Sequence, residues 1–190
     1  MKKNLLKNKL FYYFYKVLKI HRNKKPSLHF GEFGEDIFIN RIFKNTKNGK
    51  YVDVGCYHPY KGSLTAQLYN KNWKGINIDL SKTSIDLFKM ARRRDINLNI
   101  AVSNFDGETF YYENSPVNQQ NSLSKTNNQQ TEIKVKCHTL NSILEQNCVE
   151  NFDYLNIDVE GSELKVIQGI NLKKYHKQVC SPVILTTVLI

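Results

Sequence analysis

"YVDVGCYHPYKGSLT", residues 51–65, decides how the chain is read. Its first four residues alternate like a buried strand, Gly55 breaks the run, and a His-Pro turn leads into a segment that reads as a helix starting near Gly62 or Ser63. In an open parallel sheet, ligands bind beyond the carboxyl ends of the strands, where the first βα turn meets its neighbour. Gly55, lacking a Cβ, lets a ligand lie against the backbone there. The helix start offers N–H groups. Asp79 follows 24 positions beyond Gly55, at the end of the strand-like "GINID". A carboxylate at that point accepts hydrogen bonds from ribose hydroxyls. Together these features describe a nucleoside-binding crevice.

The glycine pattern bears on which nucleoside. A pyrophosphate-binding turn wants G-x-G-x-x-G, and this turn has a single glycine followed by Tyr57 and His58, whose bulk crowds a pyrophosphate. S-adenosylmethionine has no phosphate and tolerates a less open turn, so the residues favour it over a nicotinamide dinucleotide. A plain βα turn with no ligand stays open at this point, since such glycines also serve turn geometry alone.

Outward from this stretch, the pattern alternates strands with helices. "KGINIDL" and "INLNIAV" read as strands after "GKYVDVG", and "KTSIDLFKMARR" as the helix between them. "DGETFYY" and "EIKVKCHTL" are strand-like, "LNSILEQN" helical, "FDYLNIDV" a strand, "SELKVIQGI" a helix and "SPVILTTVLI" a last strand. This implies an α/β, Rossmann-like, doubly wound parallel sheet over residues 30–190. The polar separator at 113–131 reads as a lid over the acceptor or as a solvated insert.

The net charge of +11 is localised. Of 28 basic groups, nine lie in residues 1–25 with no acid among them, and the remainder balances 17 acids to within +2. That argues against a nucleic-acid groove across the fold, and no nucleic-acid partner is expected. Residues 1–29 form a basic arm. Within it Leu5, Leu6, Leu10, Phe14, Val17 and Leu18 recur at near-helical spacing, giving a basic amphipathic helix. Such a helix lies on an anionic membrane or packs on the domain with its lysines in water. Four cysteines without C-x-x-C spacing, and no cleavable leader, suggest reduced thiols in the cytoplasm, with peripheral contact at the inner membrane face through residues 1–25. Cys56 with His58 and Cys137 with His138 lack zinc-site spacing, so no metal ligand is assigned.

A second constellation is "YLNIDVEGSE", residues 154–163. Asp158 and Glu160 sit at the carboxyl end of a central strand, on the same side if the strand persists. Two carboxylates at the mouth of a sheet are costly unless paired, metal-bound or used in chemistry. Helix capping by Glu160 or Ser162 is the alternative.

"GEDIFINRIF", "GKYVDVGCYHPYKGSLTAQLY", "NWKGINIDL", "RRDINLNIAVSN" and "FDYLNIDVEGSELKVIQGI" follow one another in the order and spacing of FkbM-family methyltransferases. The chain resembles that family from about Phe30 to Leu172. The resemblance implies an S-adenosylmethionine-dependent O-methyltransferase acting on hydroxyls of sugars or other secondary metabolites, often in bacterial surface-glycan clusters. It implies that Asp53, Gly55 and Tyr57 line the cofactor and that Asp79 holds the ribose. Ala101 and Val102 would border the adenine. Glu35 and Asp36 match an acidic pair that helps close the site. Asp158 and Glu160 match the D-V-E-G block, the expected catalytic surface, with His58 on the cofactor turn as the other candidate base. A divalent metal at that base is chemically conceivable but has no support in the sequence.

One departure stands out. After "SELKVIQGI" the family pattern continues with an acid-ended strand and further elements, whereas this chain continues "KKYHKQVCSPVILTTVLI". The reading is a sheet whose C-terminal strands are missing or truncated, with residues 183–190 an apolar edge strand that a second subunit would cover. Two other functions are carried forward from the sequence: a truncated, non-catalytic relative, and an RNA-directed methyltransferase guided by the basic arm.

Overall fold

The computed structural model describes residues 9–23, 29–113, 121–122, 131–159 and 161–176. Its first sheet holds β1 (Lys50–Val54), β2 (Lys74–Ile78), β3 (Ile96–Leu98) and β8 (Tyr154–Ile157), in the spatial order β3-β2-β1-β8. Every pairing in it is parallel. The order reverses between β1 and β8, which makes the carboxyl end of β1 the topological switch point. The helices between these strands are α3 (Ala66–Asn70), α4 (Lys82–Ala91) and α5 (Leu140–Gln146), and α6 (Glu163–Gln168) follows β8. Ahead of β1 come α1 (Lys9–Asn23) and α2 (Glu35–Ile42), and α7 (Leu172–His176) closes the described chain.

Three strands carry the same two-faced text in register. Val52, Ile76 and Leu155 pair across the sheet, as do Val54, Ile78 and Ile157. These point to one face and pack with Leu140, Ile143 and Leu144 of α5 and Val166 of α6. Tyr51 and Tyr154 point to the other face, among Ile39 from α2, Phe43 at its C-cap, Leu68 from α3, and Trp73. A parallel sheet covered on both faces by helices is the expected doubly wound arrangement. On this second face the row beyond the aromatic residues is polar: Asn97, Asn77, Asp53 and Asn156 lie side by side across four strands. They bond along the row, Asn156 Nδ2 donating to Asp53 Oδ1 at 2.9 Å and Asn77 Nδ2 to Asn97 Oδ1 at 2.9 Å.

The expected third strand, "INLNIAV", is two strands in two sheets. β3 ends at Leu98, and β4 (Ala101–Ser103) opens a second sheet ordered β4-β7-β5-β6, with β5 Gly107–Glu113, β6 Asn121–Ser122 and β7 Thr131–Thr139. The break falls at Asn99, whose side-chain amide donates to the carbonyls of Asp79 and Leu80 at 3.0 and 2.8 Å. β4 runs parallel to β7, and β5 antiparallel to both β7 and β6. The helix expected from Gly62 starts only at Ala66. The expected final strand, residues 183–190, lies outside the described residues, as does most of 113–131.

Gly75 shows how tightly the second face is filled. A Cβ on it would overlap the Tyr51 ring, which is held by its hydroxyl on Asp95 at 2.5 Å. Gly75→Ala should therefore cost about 1–3 kcal/mol of stability through overpacking, measured by urea unfolding. An unchanged midpoint would show that the ring has room to move.

Candidate functional site

A cavity of about 230 Å³ opens at the carboxyl ends of β1, β2 and β8. Glu35, Asp53, Gly55, Tyr57, Asp79, Val102 and Asp158 all line it. Thus the first turn, the second strand end and the D-V-E-G stretch meet in one place. Asp36, His58 and Ala101 are not among the lining residues, and Glu160 lies outside the described residues.

Gly55 has φ 83°, in the left-handed region that favours glycine. A Cβ there would overlap the main-chain carbonyl of Asp158. The bare Cα is thus already used by the protein, to let the β8 end close against the β1 end. Tyr57, at φ 49°, donates its main-chain N–H to Asp79 Oδ2 at 2.8 Å. Ser81 N–H donates to Asp79 Oδ1 at 2.7 Å. The carboxylate at the end of β2 therefore ties the first turn to the second. Burial raises its pKa to about 6, against the opposing pull of those two N–H donors.

Asp53 is buried beneath the turn and takes hydrogen bonds from Asn156 and from Thr65 Oγ1, the latter at 2.7 Å. Burial pushes its pKa up, and these two bonds, with the charge of Arg92, work the other way. Arg92 is fully buried and organises the whole 55–65 loop. Its guanidinium donates to the Pro59 carbonyl through Nε (3.1 Å) and Nη2 (2.5 Å), to Ser63 Oγ at 2.6 Å and to Thr65 Oγ1 at 2.6 Å. The ring of Phe88 lies 4.9 Å beneath it. This residue was hidden in the sequence within "ARRRD", where a run of arginines reads as solvated surface. Its signal was the spacing Ile85, Phe88, Arg92, which puts it at the C-cap of α4 in line with the helix's buried side.

Part of the main chain expected to face a ligand at this turn bonds within the turn itself. Tyr60 and Lys61 N–H both donate to His58 Nδ1, at 3.1 and 3.0 Å, and Ser63 N–H donates to the Tyr60 carbonyl. His58 is fully buried, bonded also to the main chain of Lys19 in α1. Burial first, then the charge of Lys19, lower its pKa to about 4, so it is neutral at ordinary pH. The acidic pair divides. Glu35 faces the cavity and accepts from Phe33 N–H at 3.0 Å. Asp36 is buried and accepts from Phe30 N–H and Gln67 Nε2, each at 2.8 Å, joining α2 to α3. Ile100 lines the cavity with Val102, while Ala101 alternates away. β8 ends at Ile157, so the alternation that would put Asp158 and Glu160 on one side does not extend to them. Ser162, at the α6 N-cap position, makes no side-chain capping bond; Glu163 instead accepts from Gly161 N–H at 3.0 Å.

The profile of the Methyltransferase FkbM domain matches residues 53–189. The chain belongs to the FkbM methyltransferase family. The match begins at Asp53, later than the sequence blocks from Phe30, and runs past Leu172 to Leu189. Comparison with curated proteins and with solved structures finds no match. Membership implies methyl transfer with S-adenosylmethionine as the donor. The lining fits that group: Ile78, Leu80, Ile100 and Val102 would supply apolar walls for a base, and Asp79 would supply the carboxylate for a ribose. Among the described residues, no cluster of three or more His, Cys, Asp or Glu side chains is placed to hold a metal ion.

Two outcomes follow from this geometry. Arg92→Met should cost about 3–5 kcal/mol in urea unfolding, since the Pro59 carbonyl and two hydroxyls lose their buried cation. Arg92→Lys should recover only part of it, because an ammonium cannot fork across three acceptors; full recovery by Lys would show that charge alone matters. Asp79 holds its proton more tightly in the folded chain than in the unfolded one. Its stabilising contribution is present below the ordinary carboxylate range and is lost as pH rises through about 6. A carbon NMR titration of the Asp79 carboxyl should show that midpoint, and a midpoint near 4 would contradict it.

Proposed function

We propose that this chain is an S-adenosylmethionine-dependent O-methyltransferase acting on a hydroxyl of a sugar or surface-glycan precursor. The observation that carries the reading is the hydrogen bond from Tyr57 N–H to Asp79 Oδ2, which fixes turn and carboxylate as one cradle at the switch point. Each Asp79 oxygen accepts one main-chain N–H and retains capacity for a second hydrogen bond, from a ribose hydroxyl. When bound, the sulfonium supplies an activated methyl group. The work left to the protein is to position an acceptor oxygen and remove its proton.

Asp158 is the group for that work. It lines the cavity, it is exposed at the mouth, and its main chain is fixed on both sides: N–H to the Val54 carbonyl at 2.9 Å, carbonyl against Gly55. His58 serves a different end in this reading, because its Nδ1 is taken by two main-chain N–H groups and its ring is buried. A hydroxyl acceptor is favoured because it is the weak nucleophile that needs a carboxylate base, which contributes about 10²–10⁴-fold.

Calorimetric titration with S-adenosylmethionine tests the cradle. The parent should bind at one site, and Asp79→Ala should weaken binding by about tenfold or more, as expected for lost hydrogen bonds to a charged acceptor. Asp158→Asn should bind as the parent does but lose transfer of a labelled methyl group to glycan precursors by about 10²-fold or more. Absence of binding in the parent would favour the non-catalytic reading, and a fully active Asp158→Asn would remove that residue from the chemistry.

A further inference from the structure

The helix α1 is docked the wrong way round for a helix that only completes a core. Its inward side is mostly polar and aromatic, with Ile20 the one aliphatic residue among the half-buried ones. Tyr12 donates its hydroxyl to Asp86 Oδ2 of α4 at 2.8 Å, and the main chain of Lys19 is bonded to the His58 ring. Tyr12, Tyr15, Lys16, Lys19 and Ile20 are half-buried on this side. The opposite side is apolar and in solvent: Leu10 is 65% exposed, Phe14 55% and Leu18 61%. These three recur at every fourth position and form one stripe, with Val17 beside them, also exposed. An amphipathic helix that turns its apolar stripe away from its own domain has a partner elsewhere.

We propose that this stripe is a docking face for an anionic membrane surface, on which α1 lies flat. The charge pattern selects that occupant. Residues 1–25 hold nine basic groups and no acid, whereas the rest of the chain is close to neutral. Within α1, Lys9 and Arg22 are exposed at its two ends, and lysines continue in sequence on either side. A second copy of the same arm would bring nine positive charges against nine, so self-association through this face is opposed. Leucine and phenylalanine on one side with lysine and arginine around them is the composition of helices that rest in the headgroup region. No helix among the described residues is long and apolar enough to cross a membrane, so the contact is with the surface. Lysines near an anionic leaflet add attraction that salt weakens.

The test uses the full chain and needs neither cofactor nor turnover, so it stands or falls apart from the methyl-transfer reading. Co-sedimentation is measured with vesicles of phosphatidylcholine alone and with about 30% phosphatidylserine added. The anionic vesicles should bind about tenfold or more tightly than the neutral ones, and raising salt from about 0.1 to about 0.5 M should reduce that binding. The triple variant Leu10→Asp, Phe14→Asp, Leu18→Asp should keep the parent's thermal midpoint, because these side chains are in solvent, yet lose binding about tenfold or more. Lys24→Glu with Lys25→Glu should weaken binding to anionic vesicles and leave the weak binding to neutral ones unchanged. Equal binding to both vesicle types, absence of binding to either, or undiminished binding by the triple variant would overturn the proposal. So would self-association in lipid-free solution that the triple variant abolishes, which would give the face to a second copy.

Discussion

A buried positive charge holds the site in shape. The loop from Gly55 to Thr65 is long, contains a proline and has little regular structure, so its carbonyls and hydroxyls need partners that secondary structure does not provide. Arg92 supplies them from the C-cap of α4, reaching Pro59, Ser63 and Thr65 at once. Thr65 then passes the interaction on to Asp53, whose other oxygen is held by Asn156 on the next strand. A guanidinium, a hydroxyl, a carboxylate and an amide thus link α4, the loop, β1 and β8. The carboxylate is raised in pKa by burial yet lies in the field of the arginine, so each partner offsets part of the other's desolvation. Removing either one leaves the other with its direct hydrogen bonds but without the opposite charge nearby.

The same chain explains why the second face of the sheet changes character along its length. Near the amino ends of β1 and β8 it is aromatic, with Tyr51 and Tyr154 against Phe43 and Trp73. Two residues further on it is polar, with Asp53 and Asn156 in the same register. Alternation requires those residues to share a face, and the register requires them to share a row. The apolar half anchors the helices, and the polar half faces the loop that shapes the cavity. A site at the carboxyl end of a parallel sheet needs this gradient, because an apolar face throughout would give the loop nothing to bond to.

Much of this was legible in the residues. "YVDVG" and "GINID" gave the two strands and the glycine turn, and the alternation of periods gave the parallel sheet. Asp53, Gly55, Tyr57, Asp79, Val102, Glu35 and Asp158 were named from motif position and lie around one cavity. What the sequence concealed has physical causes. The helix after the turn is short because Ser63 and Thr65 direct their hydroxyls to Arg92, a contact separated by about thirty positions that no local propensity reports. The third strand divides because one amide, Asn99, bonds to the carbonyls of a different segment. His58 looked available beside the cofactor turn, but two main-chain N–H groups converge on its Nδ1. The orientation of α1 was equally unreadable: periodicity shows that a helix has two faces, not which one its domain takes.

Gly55 lines the cavity and also meets a demand of the fold itself. The space its missing Cβ leaves is filled by the Asp158 carbonyl. That close approach lets the main chain beyond β8 continue hydrogen bonding to β1, through Asp158 N–H and the Val54 carbonyl, after the ladder of β8 has ended. The Asp158 side chain is thereby held at the cavity mouth by backbone contacts on both sides of its Cα. Gly55 N–H and Cys56 N–H meanwhile both reach the Ile78 carbonyl, one residue before Asp79. A single residue without a side chain therefore sets the spacing between the carboxylate suited to a ribose and the carboxylate suited to a proton. Any larger residue at position 55 would separate the two functions before it touched a ligand, which is why the cradle and the proposed base stand together on one glycine.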